Sequence, residues 1–170
     1  MEIIPIGVYS LKYLDKNDTK EAIFISVDDT VEDEYTGLIS NFINETEFID
    51  YLILPIADIP VCDGISEEDM LKKFSNQMHF MTEDDANKIV SFVLRYRNTA
   101  MRIYIQCSAG ASRSPSIAAA LDNWLNSSDI IFNNPQFAIK KVYYDFIIEA
   151  IKRLTNDIAR LRKFKHIKIP

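Results

Sequence analysis

Cysteine and histidine are both scarce in this chain: Cys62 and Cys107 are its only thiols, and His79 and His166 its only imidazoles. Two cysteines are too few for a disulfide framework, and in a cytosolic chain each reads as a buried thiol or a chemical group. Two histidines argue against a His-rich metal site. Apolar runs fall well short of the roughly 18 residues of a membrane span. The N-terminal MEIIPIGVYSLKYLD has neither the basic start nor the small-residue cleavage site of a signal peptide, so the cytoplasm is the expected compartment. There is no internal repeat, low-complexity tract or Pro/Gly-rich linker. A length of 170 residues with 48% hydrophobic and 26% charged side chains suits one domain, 1–170, with a proper core.

Net charge is −6, unevenly spread: residues 152–170 hold seven Lys or Arg against Asp157 alone, so the rest of the chain is more acidic than the total suggests. An acidic body repels polynucleotides, and a nucleic-acid substrate is not expected. The basic end reads as a helix whose last turns carry cations that complement its dipole.

Three runs dense in Ile, Val and aromatics, IIPIGV (3–8), AIFISV (22–27) and YLILPI (51–56), predict strands buried on both faces, and MRIYIQC (101–107) predicts a fourth. Helical spacing places Ala86, Ile89, Val90, Val93 and Tyr96 on one face of 82–98, behind Thr82 with Asp85 as its capping partner. Ser66 and Asp69 mark a shorter helix within 66–78. Ile117, Ala120, Leu121 and Trp124 form a further stripe. The longest stripe joins Ile139, Val142, Phe146, Ala150, Leu154, Ile158 and Leu161. Strands alternating with helices need crossover connections, which predicts an α/β, three-layer sheet flanked by helices. Such sheets bind ligands beyond the carboxyl ends of their strands.

The segment 104-YIQCSAGASRSPSIAAA-120 lies at one of those ends. Cys107 closes a strand, and Ser114-Pro115 opens a helix, where proline's missing N–H would have no partner anyway. Between them Ser108, Ala109, Ala111 and Ser112 are small, and Gly110 supplies dihedrals that a branched residue resists. A turn of this kind directs successive N–H groups inward at a helix start, making a concave site for phosphate or sulfate. Its field favours the thiolate form of a cysteine at its centre, so Cys107 reads as a nucleophile. Arg113 adds a planar fork able to grip two phosphoryl oxygens.

CSAGASRS resembles the CxxGxxR[ST] signature of the cysteine-dependent protein tyrosine and dual-specificity phosphatases, and the order of elements over about 3–160 is compatible with their fold. The resemblance implies a cysteinyl-phosphate mechanism without metal or other cofactor. Cys107 attacks phosphorus, Arg113 and the amides of 108–113 hold the oxygens, and Ser114 hydrogen-bonds the thiolate and eases its departure. It also implies a general acid, an aspartate on the loop after an earlier strand. Here YLILPIAD delivers Asp58, and Asp63 is the alternative. The long interval from Asp58 to Cys107 is filled by the extra helix of 66–78.

Several other residues are read as structural. Asp28 and Asp29 also follow a strand, but SVDDTVEDE reads as a solvated acidic loop. The segment 28–50, with Tyr35, Phe42 and Phe48, reads as a surface helix or else as a wall of the cleft. Cys62 reads as a small buried hydrophobe, with a reversible disulfide to Cys107 as the alternative.

One departure stands out. The resembled family has His directly before the cysteine, where it organises the loop's hydrogen bonds and favours the thiolate; Gln106 can donate and accept but cannot become cationic. The expected substrate is a phosphorylated protein, phosphotyrosine with or without phosphoserine/threonine, or a small phosphomonoester, since the loop lacks the extra cations of phosphoinositide-directed relatives. Phosphate, sulfate and vanadate are expected to bind. Two rival readings use the same residues: a catalytically silent phosphate-binding domain, and a rhodanese-like sulfurtransferase.

Overall fold

The computed structural model describes residues 1–29 and 33–165, with side chains at 1–29 and 37–159. Tyr35, Leu161 and His166 thus lie outside the described side chains. The order of elements is β1 (Glu2–Gly7), a 3-10 helix (Val8–Tyr13), α1 (Lys16–Thr19), β2 (Ala22–Val27), α2 (Asp33–Glu45), β3 (Asp50–Leu54), α3 (Glu67–Phe74), α4 (Glu83–Tyr96), β4 (Arg102–Cys107), α5 (Arg113–Asn126) and α6 (Lys141–Lys165).

The four strands form one parallel sheet in the order β1-β4-β2-β3. Strand alternation sends side chains to two separate cores. Ile23, Ile25, Val27, Ile103 and Ile105 meet Ile89, Val93, Ile117, Leu121, Tyr143 and Ile147 from α4, α5 and α6. On the other face Phe24 and Tyr104 pack with Val8, Leu11 and Ile39. The result is the expected three-layer α/β architecture. Its consequence for the site is that β4 sits inside the sheet, so Cys107 emerges between β1 and β2.

Local signals hold at the helix starts. Ser66 accepts from the Asp69 amide, and Thr82 and Asp85 exchange bonds as a full capping box. Other expectations need correction. The run 51–56 is not buried on both faces: β3 ends at Leu54, occupies a sheet edge, and leaves Tyr51 and Ile53 about half exposed. The packed face of α6 is centred on Tyr143, Ile147, Ala150 and Ile151; Ala150 of the predicted stripe lies on it, and Val142, Phe146 and Leu154 flank it. Phe48 stacks on Phe24 under the sheet and Phe42 packs tilted against the same ring, while Phe42 also lines a groove with Tyr9 and Leu38. Cys62 is exposed rather than buried, because it lies in the turn before α3 and not under it.

Candidate active site

Gly7 of β1 is the register partner of Cys107, and the residues after both strands are knitted together. Val8 donates its amide to the Ser108 carbonyl at 3.1 Å, and Ala138, just before α6, donates to the Ala111 carbonyl at 2.8 Å. These bonds turn loop carbonyls outward. Among the described residues the amides of Ser108, Ala109, Gly110, Ala111, Ser112 and Arg113 donate to no protein acceptor. Outward carbonyls and unengaged amides at the start of α5 are the arrangement an anion needs. Gly110, at φ +72°, supplies the reversal.

Cys107 is 2% exposed, and its Sγ lies 3.1 Å from Ser114 Oγ. Arg113 is also buried, and its guanidinium is divided. Nη1 donates to Asp29 Oδ1 at 2.6 Å and to the Ile56 carbonyl at 2.8 Å, and Nη2 donates to Ser108 Oγ at 2.5 Å. Nε, fully buried, has no partner among the described residues. Burial works against the cation, but the charges of Cys107, Asp28, Asp29 and Asp58 more than offset that and hold its pKa above the usual arginine value.

Asp28 and Asp29, expected in a solvated loop, belong to this site. The Asp28 side chain is 4% exposed and lies 3.6 Å from Arg113 Nη1. It accepts from Gln106 Nε2 at 3.1 Å and from Ser108 Oγ at 2.9 Å. Gln106 in turn accepts from Ser26 Oγ at 2.6 Å, its register partner on β2. Sequence reasoning missed this set because its members are far apart in the chain. The available signal was a neutral buried residue at a strand end, which needs polar partners from the neighbouring strands.

Asp58 stands on the far side of the loop, accepting from Ser112 Oγ at 2.9 Å and from the Ile59 amide at 2.9 Å. Its segment is held firmly. Ala57 donates its amide to the His79 carbonyl at 2.8 Å, and its own carbonyl accepts from the buried Tyr143 hydroxyl at 2.6 Å. Tyr143, from α6, is a further residue that sequence reasoning did not assign to the site. Asp63 is exposed in the turn that follows, with none of these contacts. A groove of about 330 Å³, lined by Gly7, Tyr9, Ser10, Ser108 and Ala109, opens beside the loop.

A buried cysteine, a forked donor, inward amides and a neighbouring carboxylate can together bind a tetrahedral anion, attack its centre and protonate a leaving oxygen. The sheet and its helices have the fold of phosphatases of the protein tyrosine and dual-specificity class. The solved structure of PTPMT1, one such phosphatase, aligns with 94% of this chain and 95% of its own at a TM-score of 0.56 and 17% identity. No family model and no curated protein sequence matches the chain. No helix among the described residues is long and apolar enough to cross a membrane.

Proposed function

We propose that this protein is a cysteine-dependent phosphomonoester hydrolase acting on phosphorylated protein, with phosphotyrosine as the leading substrate and dual specificity as its extension. The observation that carries this reading is the divided guanidinium of Arg113, whose Nη1 edge is anchored to Asp29 and Ile56 while its buried Nε has no partner among the described residues, in a loop whose amides are likewise unengaged. A buried, unpaired N–H costs free energy unless an acceptor arrives, and a phosphoryl oxygen is the acceptor this cradle suits.

In this mechanism Cys107 attacks phosphorus and the P–O bond to the leaving group breaks. The proton for the leaving oxygen comes from Asp58, the aspartate beside the loop, rather than from exposed Asp63. Ser114, 3.1 Å from Sγ, stabilises the departing thiolate when water cleaves the cysteinyl phosphate, and Asp58 takes that water's proton. The groove beside Ser108 and Ala109 receives the group that bears the phosphate.

Hydrolysis of para-nitrophenyl phosphate from pH 5 to 8, with chelator present, tests this for wild type, Cys107→Ser and Asp58→Asn. Turnover abolished by the first variant and lowered by the second is the expected result. A wild type no faster than Cys107→Ser overturns it. Retained tungstate binding would then mark a phosphate-recognition domain, the reading that neutral Gln106 favours.

A further inference from the structure

Asp28 faces the Arg113 guanidinium at 3.6 Å, yet it also stands where an anionic ligand must come. It is a closed-off carboxylate beside a cradle built for anions, and its charge repels any phosphate that enters. Such a group costs the cradle affinity unless it orders the donors that bind the ligand. The contacts show how it can. Arg113 Nη2 donates to Ser108 Oγ, and the Ser108 hydroxyl donates in turn to Asp28 Oδ1, so the carboxylate holds the guanidinium through the loop's second residue. Its other oxygen takes the Gln106 amide, whose carbonyl is already held by Ser26. Two strand ends and the loop are thereby joined in one chain of bonds.

We propose that Asp28 is a positioning residue for the phosphate cradle. With Gln106 it fixes Ser108 and Arg113, replacing by a buried carboxylate and an amide the ordering that a histidine supplies in the resembled family. The pair works as a unit: Gln106 presents its N–H₂ because Ser26 occupies its oxygen, and Asp28 is the acceptor that remains. Asp29 holds Nη1 independently, so loss of Asp28 loosens the fork without releasing it. This inference rests on the phosphatase reading for its catalytic consequence, though its anion-binding consequence stands apart from turnover.

The sign of one measurement decides the matter. Tungstate affinity is determined calorimetrically for the full chain as wild type, Asp28→Asn, Ser108→Ala and the double variant, together with kcat and KM on para-nitrophenyl phosphate. A repulsive bystander, once neutralised, leaves tungstate bound more tightly. A positioning residue leaves it bound more weakly, by about tenfold for misplacement on the scale of a fraction of an ångström. Ser108→Ala should also weaken binding, and the double variant should lose less than the two single losses multiplied, because the Ser108 hydroxyl is a path they share. Equal or tighter binding in Asp28→Asn, or losses that multiply in the double variant, overturns the proposal. If Asp28→Asn does not fold, Ser108→Ala carries the test, and its unchanged tungstate affinity overturns it. Absence of turnover in the wild type removes the phosphatase reading instead, and the tungstate series still judges Asp28.

Discussion

Gly7 and Gly110 meet so closely that a Cβ on Gly110 would lie 2.4 Å from the Gly7 nitrogen, and one on Gly7 would lie 2.8 Å from the Ala109 carbonyl oxygen. The obstructing atoms are backbone, so no side chain can swing away. Strand β1 and the loop after β4 therefore touch along main chain, and that contact sets the loop's height above the sheet. Gly110→Ala adds the cost of its φ of +72°. We expect Gly110→Ala to destabilise the fold by about 1–2 kcal/mol from the left-handed conformation alone, and tungstate binding to be lost in both Gly110→Ala and Gly7→Ala. Thermal melts with and without tungstate check this: wild type gains melting temperature on adding the anion, and the two variants do not.

Asp58 and Asp63 are separated by leaving-group dependence. A general acid matters most when the leaving oxygen is basic, so Asp58→Asn should slow phenyl phosphate by about 10²-fold or more and para-nitrophenyl phosphate far less. Asp63→Asn should leave both rates at the wild-type value. Equal loss on the two substrates in Asp58→Asn would assign it to loop structure, since Ser112 Oγ depends on it.

The parts legible in the sequence are those written in local signals. Thr82 with Asp85 and Ser66 with Asp69 are each three residues apart, and the strand-turn-helix around Cys107 is one continuous stretch of chain, so local spacing exposes them. Burial of a whole strand is different, because it depends on sheet order. The runs 22–27 and 51–56 look alike, yet β2 lies inside the sheet and β3 at its edge, a choice made by the crossovers. In α6 the periodicity was present but its phase was not. Tyr143, Ile147 and Val142, Phe146 are adjacent stripes of equal apolarity, and packing against α4 and α5 selects the first. Asp28 and Tyr143 escaped for a related reason. Their partners, Gln106 and Ala57, lie on other elements, so only the assembled sheet brings them into reach.

Tyr143 links the longest helix to the segment that bears Asp58. Its hydroxyl is buried and donates to the Ala57 carbonyl at 2.6 Å, and burial pushes its phenol above the usual tyrosine range, so it remains a donor throughout the working pH. Tyr143→Phe leaves that buried carbonyl without its bond, which costs about 1–3 kcal/mol. The expected signature is a lower denaturation midpoint together with a kcat loss larger on phenyl phosphate than on para-nitrophenyl phosphate, following Asp58. A stability loss with no such substrate dependence would confine Tyr143 to packing.

Asp85 contributes a pH dependence to stability at the acid end. Its carboxylate is almost fully buried, which by itself raises its pKa, but the Thr82 hydroxyl and amide and the nearby His79 ring outweigh burial and hold it below the ordinary value of 3.8. The unfolded chain therefore binds the Asp85 proton before the folded one does. The resulting stabilisation is complete above pH 3.8, declines as pH falls through the lower folded value, and is gone beneath it. Asp85→Asn keeps an acceptor for Thr82 but cannot ionise, so the variant should lose about 1 kcal/mol at neutral pH through the weakened cap. The difference from wild type should then shrink as pH is lowered below 3.8, and urea midpoints at pH 2.5, 4 and 7 check it. A difference that stays constant across the three would show that the capping bond is insensitive to the charge, and that the acid sensitivity of the fold lies elsewhere.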